Sequence, residues 1–258
     1  MITHESQLAS ARRYRLPRRK IPGFLWSALT KKGRSIAQDE QYALATLEVV
    51  PEIIGDHHIP TKGPCLVTCN HYTRPGFGAW WLVLLISGAV AARRAPAADP
   101  DIQWVMTAAW SFPGNRWRRK LMTPLTRWAF ARVAHIYGFI TMPPMPPAAN
   151  ETAARALAVR ETLRAAKMAS RIGGLIGLAP EGQDFAGKLG PLPPGAGDFL
   201  ALLTQTGLPI LPVGVGECEG KLRLAFGPCY SPELPSRRVD RDGSVGLQVM
   251  SEIADLLS

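Results

Sequence analysis

The stretch "LVTCNHYTRPG", residues 66–76, sets Asn70 and His71 at the end of an apolar run, where a strand-like pattern gives way to a helical one. An imidazole titrates near neutral pH, so a neutral His71 can take a proton from a hydroxyl as a general base. Such a base works best when a carboxylate holds its other ring nitrogen. The second stretch with chemical potential is "GLAPEGQDF", residues 177–185, an apolar run broken by Pro180, Glu181 and Gly182. A Pro-Glu-Gly turn presents a carboxylate and backbone N–H groups together, and glycine lets a ligand come close because it has no Cβ in the way. Neither stretch is diagnostic alone, since strand-end histidines and such turns also serve purely structural ends.

The elements that must position these residues follow from the apolar pattern. "PCLVTCN" reads as a strand, residues 77–92 as a helix, "IQWVMTA" as a strand, residues 116–134 as a helix and "AHIYGFITM" as a strand. The Ala-rich segment "AANETAARALAVRETLRAAKMAS" reads as a helix with Asn150 as its N-cap and Gly173 just past its end. "GGLIGLAP" is then a strand, residues 197–207 a helix, and "LPILPVGV" and "KLRLAFG" two further strands. Strands separated by helices imply an α/β fold with a mostly parallel sheet flanked by helices. Ligands of such sheets gather at the carboxyl ends of the strands. His71 and Glu181 each follow a strand directly, so they are candidates for one site although more than a hundred residues separate them.

Composition narrows the partners. The 258 residues suffice for one sizeable α/β domain, and the formal net charge is +10. Residues 1–40 carry nine Lys/Arg against three acids, so more than half of the excess sits in a short arm. We expect residues 1–50 to form a basic amphipathic helical arm and residues 51–258 the α/β domain. Within the arm, "IPGFLWSALT" lies between "RLPRRK" and "KKGR", a pattern suited to a helix in the headgroup region of a membrane or docked on its own domain. A second basic-aromatic stretch, "WSFPGNRWRRKLMTPLTRW" at residues 110–128, suits the phosphates of a polyphosphate cofactor, anionic headgroups or a solvated helix face. The longest apolar stretch, residues 79–92, falls short of the roughly 20 residues a spanning helix needs. No secretory leader is evident, and Cys65, Cys69, Cys218 and Cys229 make no C-x-x-C pair. Reduced thiols in a cytoplasmic protein, peripheral on the inner face of the membrane, are the expectation, with no metal. Nucleic acid is not an expected partner, because no known nucleic-acid module is present.

In order along residues 55–230, the blocks "GPCLVTCNHYTRPG", "YGFITMP", "GLAPEGQDF" and "LPILPVGV" resemble the glycerophospholipid acyltransferase family, which includes the lysophosphatidate acyltransferases. The family pattern is Asn-His with an Asp five residues after the His, then Gly-x-Ile-x-x-Arg, Phe-Pro-Glu-Gly-Thr-Arg and Val-Pro-Ile-Val-Pro-Val. The resemblance implies a glycerol-3-phosphate acyltransferase-like fold. It also implies an enzyme of phospholipid biosynthesis that moves a fatty acyl group from acyl-CoA or acyl carrier protein to a hydroxyl of a lipid acceptor. His71 would be the base, with Asn70 beside it. Pro180, Glu181, Gly182, Arg74 and Gly76 would line the substrate site, and no cofactor beyond the acyl donor is implied.

The chain departs from this pattern where it matters. Gly76 stands five residues after His71, Pro143 replaces the Arg of the second block, and Gln183-Asp184 replaces Thr-Arg. Two cations that would grip a glycerol phosphate are thereby lost, each worth roughly 1.5–3 kcal/mol in charge-assisted bonds. A lysophosphatidate acceptor is correspondingly disfavoured. For the orienting carboxylate, Asp184 or Glu181 can stand in from elsewhere in the chain. Otherwise the protein is a catalytically degenerate relative that binds lipid or acts as a scaffold.

Overall fold

The computed structural model describes residues 19, 21–44, 50–110, 112, 116–144, 151–185, 187–233 and 244–258. Residues 1–18, 20 and 45–49 of the expected arm and the expected cap Asn150 lie outside them.

Strand β2 (Cys65–Cys69) shows why the centre of the molecule forms as it does. All five of its residues are buried. Cys65, Val67 and Cys69 face one core, and Leu66 faces the other. A strand covered on both sides must be apolar throughout, which is the signature of a parallel sheet between helical layers. Seven strands pair in the order β1-β7-β6-β2-β5-β3-β4, where β1 is Glu52–Ile54, β3 Ile102–Thr107, β4 Ile140–Met142, β5 Leu175–Leu178, β6 Ile210–Cys218 and β7 Lys221–Phe226. From β6 to β4 every pairing is parallel. Strand β7 runs antiparallel to β6, because the connecting Glu219-Gly220 loop, with φ of 51° and 73°, makes a tight hairpin and leaves no length for a crossover.

Helices cover both faces. In chain order they are α1 (Ile21–Thr30), α2 (Ile36–Leu44), α3 (Ala79–Arg93), α4 (Arg116–Tyr137), α5 (Thr152–Ile172), α6 (Ala196–Thr204) and α7 (Ser244–Asp255). Ile36 and Ala43 of α2, Trp81 and Leu85 of α3, and Val133 of α4 share the core with Val67. Ala166 of α5, Leu200 of α6 and Val249 of α7 pack with Leu66 and Ile176 on the other face. The expected α/β class and mostly parallel sheet are what the chain adopts. Helix α5 ends at Gly173, whose φ is 77°, as its position in the sequence implied.

One expected element is different. "AHIYGFITM" does not begin as a strand: residues 134–137 complete α4, and the strand is confined to Ile140–Met142. Gly138 adopts φ 67°, and Phe139 N–H donates to the Ala134 carbonyl at 2.8 Å, the Schellman arrangement that closes a helix on a left-handed glycine. Two elements, β1 and α7, were not anticipated; β1 has only three residues, too few to show a period.

Candidate active site

Asn70 directly follows β2 and is itself buried. Its amide nitrogen donates to the Val215 carbonyl at 2.8 Å, and its Oδ1 accepts the Val215 N–H at 2.7 Å. A side chain thus extends the parallel ladder between β2 and β6 by one step, at the point where backbone pairing stops. The next residue, His71, is thereby held at the carboxyl edge of the sheet, between the ends of β5 and β6.

Glu181 enters from the turn after β5, a turn closed by Gly182 N–H donating to the Ala179 carbonyl at 3.1 Å. One oxygen of its buried carboxylate accepts the His71 backbone N–H. The other accepts the Gly190 N–H at 2.5 Å. One side chain therefore ties together the His71 loop, the Pro180-Glu181-Gly182 turn and the loop at residues 187–190. Burial raises the Glu181 carboxyl above its ordinary pKa, and the N–H groups of Gly190 and His71 draw it part of the way back.

The imidazole is held differently. Its Nδ1 is buried and has no hydrogen-bond partner among the described residues. Asp184 accepts from the Thr73 hydroxyl at 2.5 Å, and the Arg74 guanidinium pairs with Glu217 at the end of β6 while lying 5.6 Å from the centre of the Phe77 ring. The acidic groups around the loop thus hold its backbone, Thr73 and Arg74. A buried ring nitrogen left without a hydrogen-bond partner costs about 1–3 kcal/mol.

Gly76 has a local role in this loop. Arg74 and Phe77 exchange backbone hydrogen bonds, with Phe77 N–H donating to the Arg74 carbonyl at 2.9 Å. Pro75 and Gly76 occupy the turn between them, and Gly76 has φ 79°. Proline followed by a left-handed glycine is the signature of a type II turn. The turn sends the chain back so that buried Phe77 packs on Tyr72, with ring centres 5.8 Å apart, just before α3 begins. The Tyr72 hydroxyl is pushed up to about 12, by burial first and by Glu217 second.

The structure thus brings Asn70, His71, Arg74, Gly76, Pro180, Glu181, Gly182 and Asp184 to one edge of the sheet. It adds Glu217, Thr73 and the backbone groups of Val215 and Gly190. Backbone partners leave no mark in a sequence, and Glu217 carries no signal beyond its place near a strand end. Among the described residues no group of three or more His, Cys, Asp or Glu is arranged to hold a metal. A partly buried histidine beside a carboxylate-braced turn can accept a proton from a bound hydroxyl.

A model of the family described as "Acyltransferase" matches residues 50–216, a span that includes both His71 and Glu181. Among solved structures, the chain is similar in fold to the 1-acyl-sn-glycerophosphate (LPA) acyltransferase PlsC from Thermotoga maritima, with a TM-score of 0.50 and 16% identity over 97% of this chain and 86% of that one. No curated protein matches the chain.

Proposed function

The chain belongs to the acyltransferase family, and from that premise we propose that it transfers a fatty acyl group from the thioester of acyl-CoA or acyl carrier protein to a hydroxyl of a lipid acceptor at a membrane surface. His71 takes the hydroxyl proton on Nε2 as the acceptor oxygen attacks the thioester carbonyl carbon. The tetrahedral intermediate collapses with cleavage of the C–S bond, and the imidazolium returns the proton to the leaving thiolate. The products are an ester and a free thiol. The observation that supports this reading is the hydrogen bond from the His71 backbone N–H to the Glu181 carboxylate, which ties the His71 loop to the Pro180-Glu181-Gly182 turn. Asn70 and Glu181 are positioning residues in this scheme, because their side chains bond the backbone around His71 rather than the substrate.

The acceptor reaches the site from a bilayer that the protein contacts peripherally. On α1, Ile21, Leu25, Trp26 and Leu29 are exposed, and Lys31 and Lys32 follow them. No helix of the described residues is long and apolar enough to cross a membrane. Absence of arginine at Pro143 and Asp184 favours an acceptor other than a lysophosphatidate.

One observation favours a second reading, a catalytically degenerate protein that binds lipid without turnover. It is the His71 Nδ1, which has no hydrogen-bond partner among the described residues, together with Gly76 at the place of the family's Asp. In a triad enzyme, replacing the carboxylate by an amide lowers the rate about ten-thousandfold. The deciding measurement is thiol release from acyl-CoA in the presence of a bacterial lipid extract. The wild type should release thiol and His71→Ala should not; equal release by both would end the catalytic reading. A sharp gain from Gly76→Asp over a very slow wild type would favour the degenerate one.

A further inference from the structure

Helix α4 begins with ten residues, 116–125, none of which is buried. The first buried residue is Thr126. Trp110, three residues past the end of β3, already touches the middle of α4: its N–H donates to Thr126 Oγ1 at 3.2 Å and its ring meets Phe130 edge-on at 5.2 Å. The turns before Thr126 therefore project past the level where β3 ends. That is the carboxyl edge of the sheet, the edge that carries His71 and Glu181.

A helix that leaves its own domain should be polar all round. This one is not. Trp117 is 76% exposed, Leu121 58%, Leu125 54% and Trp128 50%. At 3.6 residues per turn, Trp117, Leu121 and Trp128 fall within about 40° of one another, opposite the face that buries Thr126, Phe130 and Val133. An exposed apolar stripe rimmed by polar groups marks a surface that something covers.

The charges say what covers it. Helix α4 contains six Lys/Arg and no Asp or Glu. Arg116, Lys120 and Arg127 run along one margin of the stripe, and Arg132 sits on the other, 5.6 Å from the centre of the Trp128 ring. A second copy of the chain on this face would oppose like charges across a shared axis. An anionic bilayer answers both features, taking the indoles and leucines at headgroup depth and the cations among the phosphates.

We propose that the projecting half of α4 is a second membrane-docking element, separate from α1, which seats the carboxyl edge of the sheet against an anionic lipid surface. It rests on the proposed lipid-acceptor function for its purpose, while its evidence is the surface itself. The test is co-sedimentation of the full chain with vesicles of phosphatidylcholine, alone or mixed equally with phosphatidylglycerol. Trp117→Ser/Leu121→Ser should bind the mixed vesicles about tenfold to a hundredfold less than wild type, with an unchanged melting temperature because both side chains are exposed. Arg116→Ser/Lys120→Ser/Arg127→Ser should lose roughly fivefold per charge at low salt, and with it the preference for phosphatidylglycerol. Wild-type-like binding by the Trp117/Leu121 variant would overturn the proposal. So would a dimer, present without vesicles, that this variant converts to monomer. His71→Ala separates the two claims: it should bind vesicles normally, so activity without His71 would sink the catalytic reading and leave this one standing.

Discussion

Glu181 and Asn70 do the same kind of work at the residue scale, since each commits both ends of a polar side chain to backbone groups that flank His71. Asn70→Ala leaves the Val215 N–H and C=O without partners in a buried site, each at a cost of roughly 1–3 kcal/mol. Its melting temperature should fall by many degrees, and thiol release should fall with it as His71 loses its seat. Glu181→Gln keeps one acceptor and turns an N–H donor toward a second N–H, so we expect a loss of about 2 kcal/mol by chemical denaturation. Gly76→Ala must carry a methyl group at φ 79°, where an L-residue is strained by about 1–2 kcal/mol. His71, Glu181 and Gly182 were legible as a candidate site because their types and strand-end positions are local properties. The partners that fix them were not, because a Val215 N–H or a Gly190 N–H looks like any other in a sequence.

At the scale of elements, α2 carries the most titratable contact. Glu40 is buried against α3, with Oε1 lacking a hydrogen-bond partner among the described residues, and burial pushes its carboxyl up to about 7. The folded state therefore holds a proton on Glu40 at pH values where the unfolded chain has lost it. Stability must fall as pH rises from the ordinary carboxylate range to about 7, and level off above. Thermal melts should show this decline in wild type, and Glu40→Gln should flatten it. The contact leaves no room for more atoms: a Cβ on Gly88 would lie 1.8 Å from the Glu40 carboxyl carbon. Gly88→Ala should therefore cost about 1–3 kcal/mol by overpacking. Element types were readable wherever a run was long enough to show its period, as for α3 and α5. The reading slipped at residues 134–137, where apolar helix-end residues before Gly138 resemble the start of a strand.

For the molecule as a whole, the net charge of +10 is a statement about partners. Residues 1–18 contain Arg12, Arg13, Arg15 and Arg18 against Glu5, so their removal should weaken binding to anionic vesicles, more at low than at high ionic strength. Thiol release from soluble acyl-CoA should change less than vesicle binding, because His71 and Glu181 are anchored by β2, β5 and β6. If salt left vesicle binding untouched in both forms, the electrostatic account of membrane contact would fail.

By itself the amino-acid order determined the alternation of strand and helix, the parallel character of the sheet and the two strand ends most able to do chemistry. These follow from apolar periodicity and from glycine and proline placement, which act over a few residues. Only the tertiary structure decided that His71 and Glu181 meet, that Glu181 grips the His71 backbone while the ring Nδ1 finds no partner among the described residues, and that half of α4 projects with an apolar stripe outward. Each depends on which strand lies beside which, and strand order is set by packing across the whole chain. "NHYTRPG" could name a base, but what holds that base in place is a property of β5 and β6.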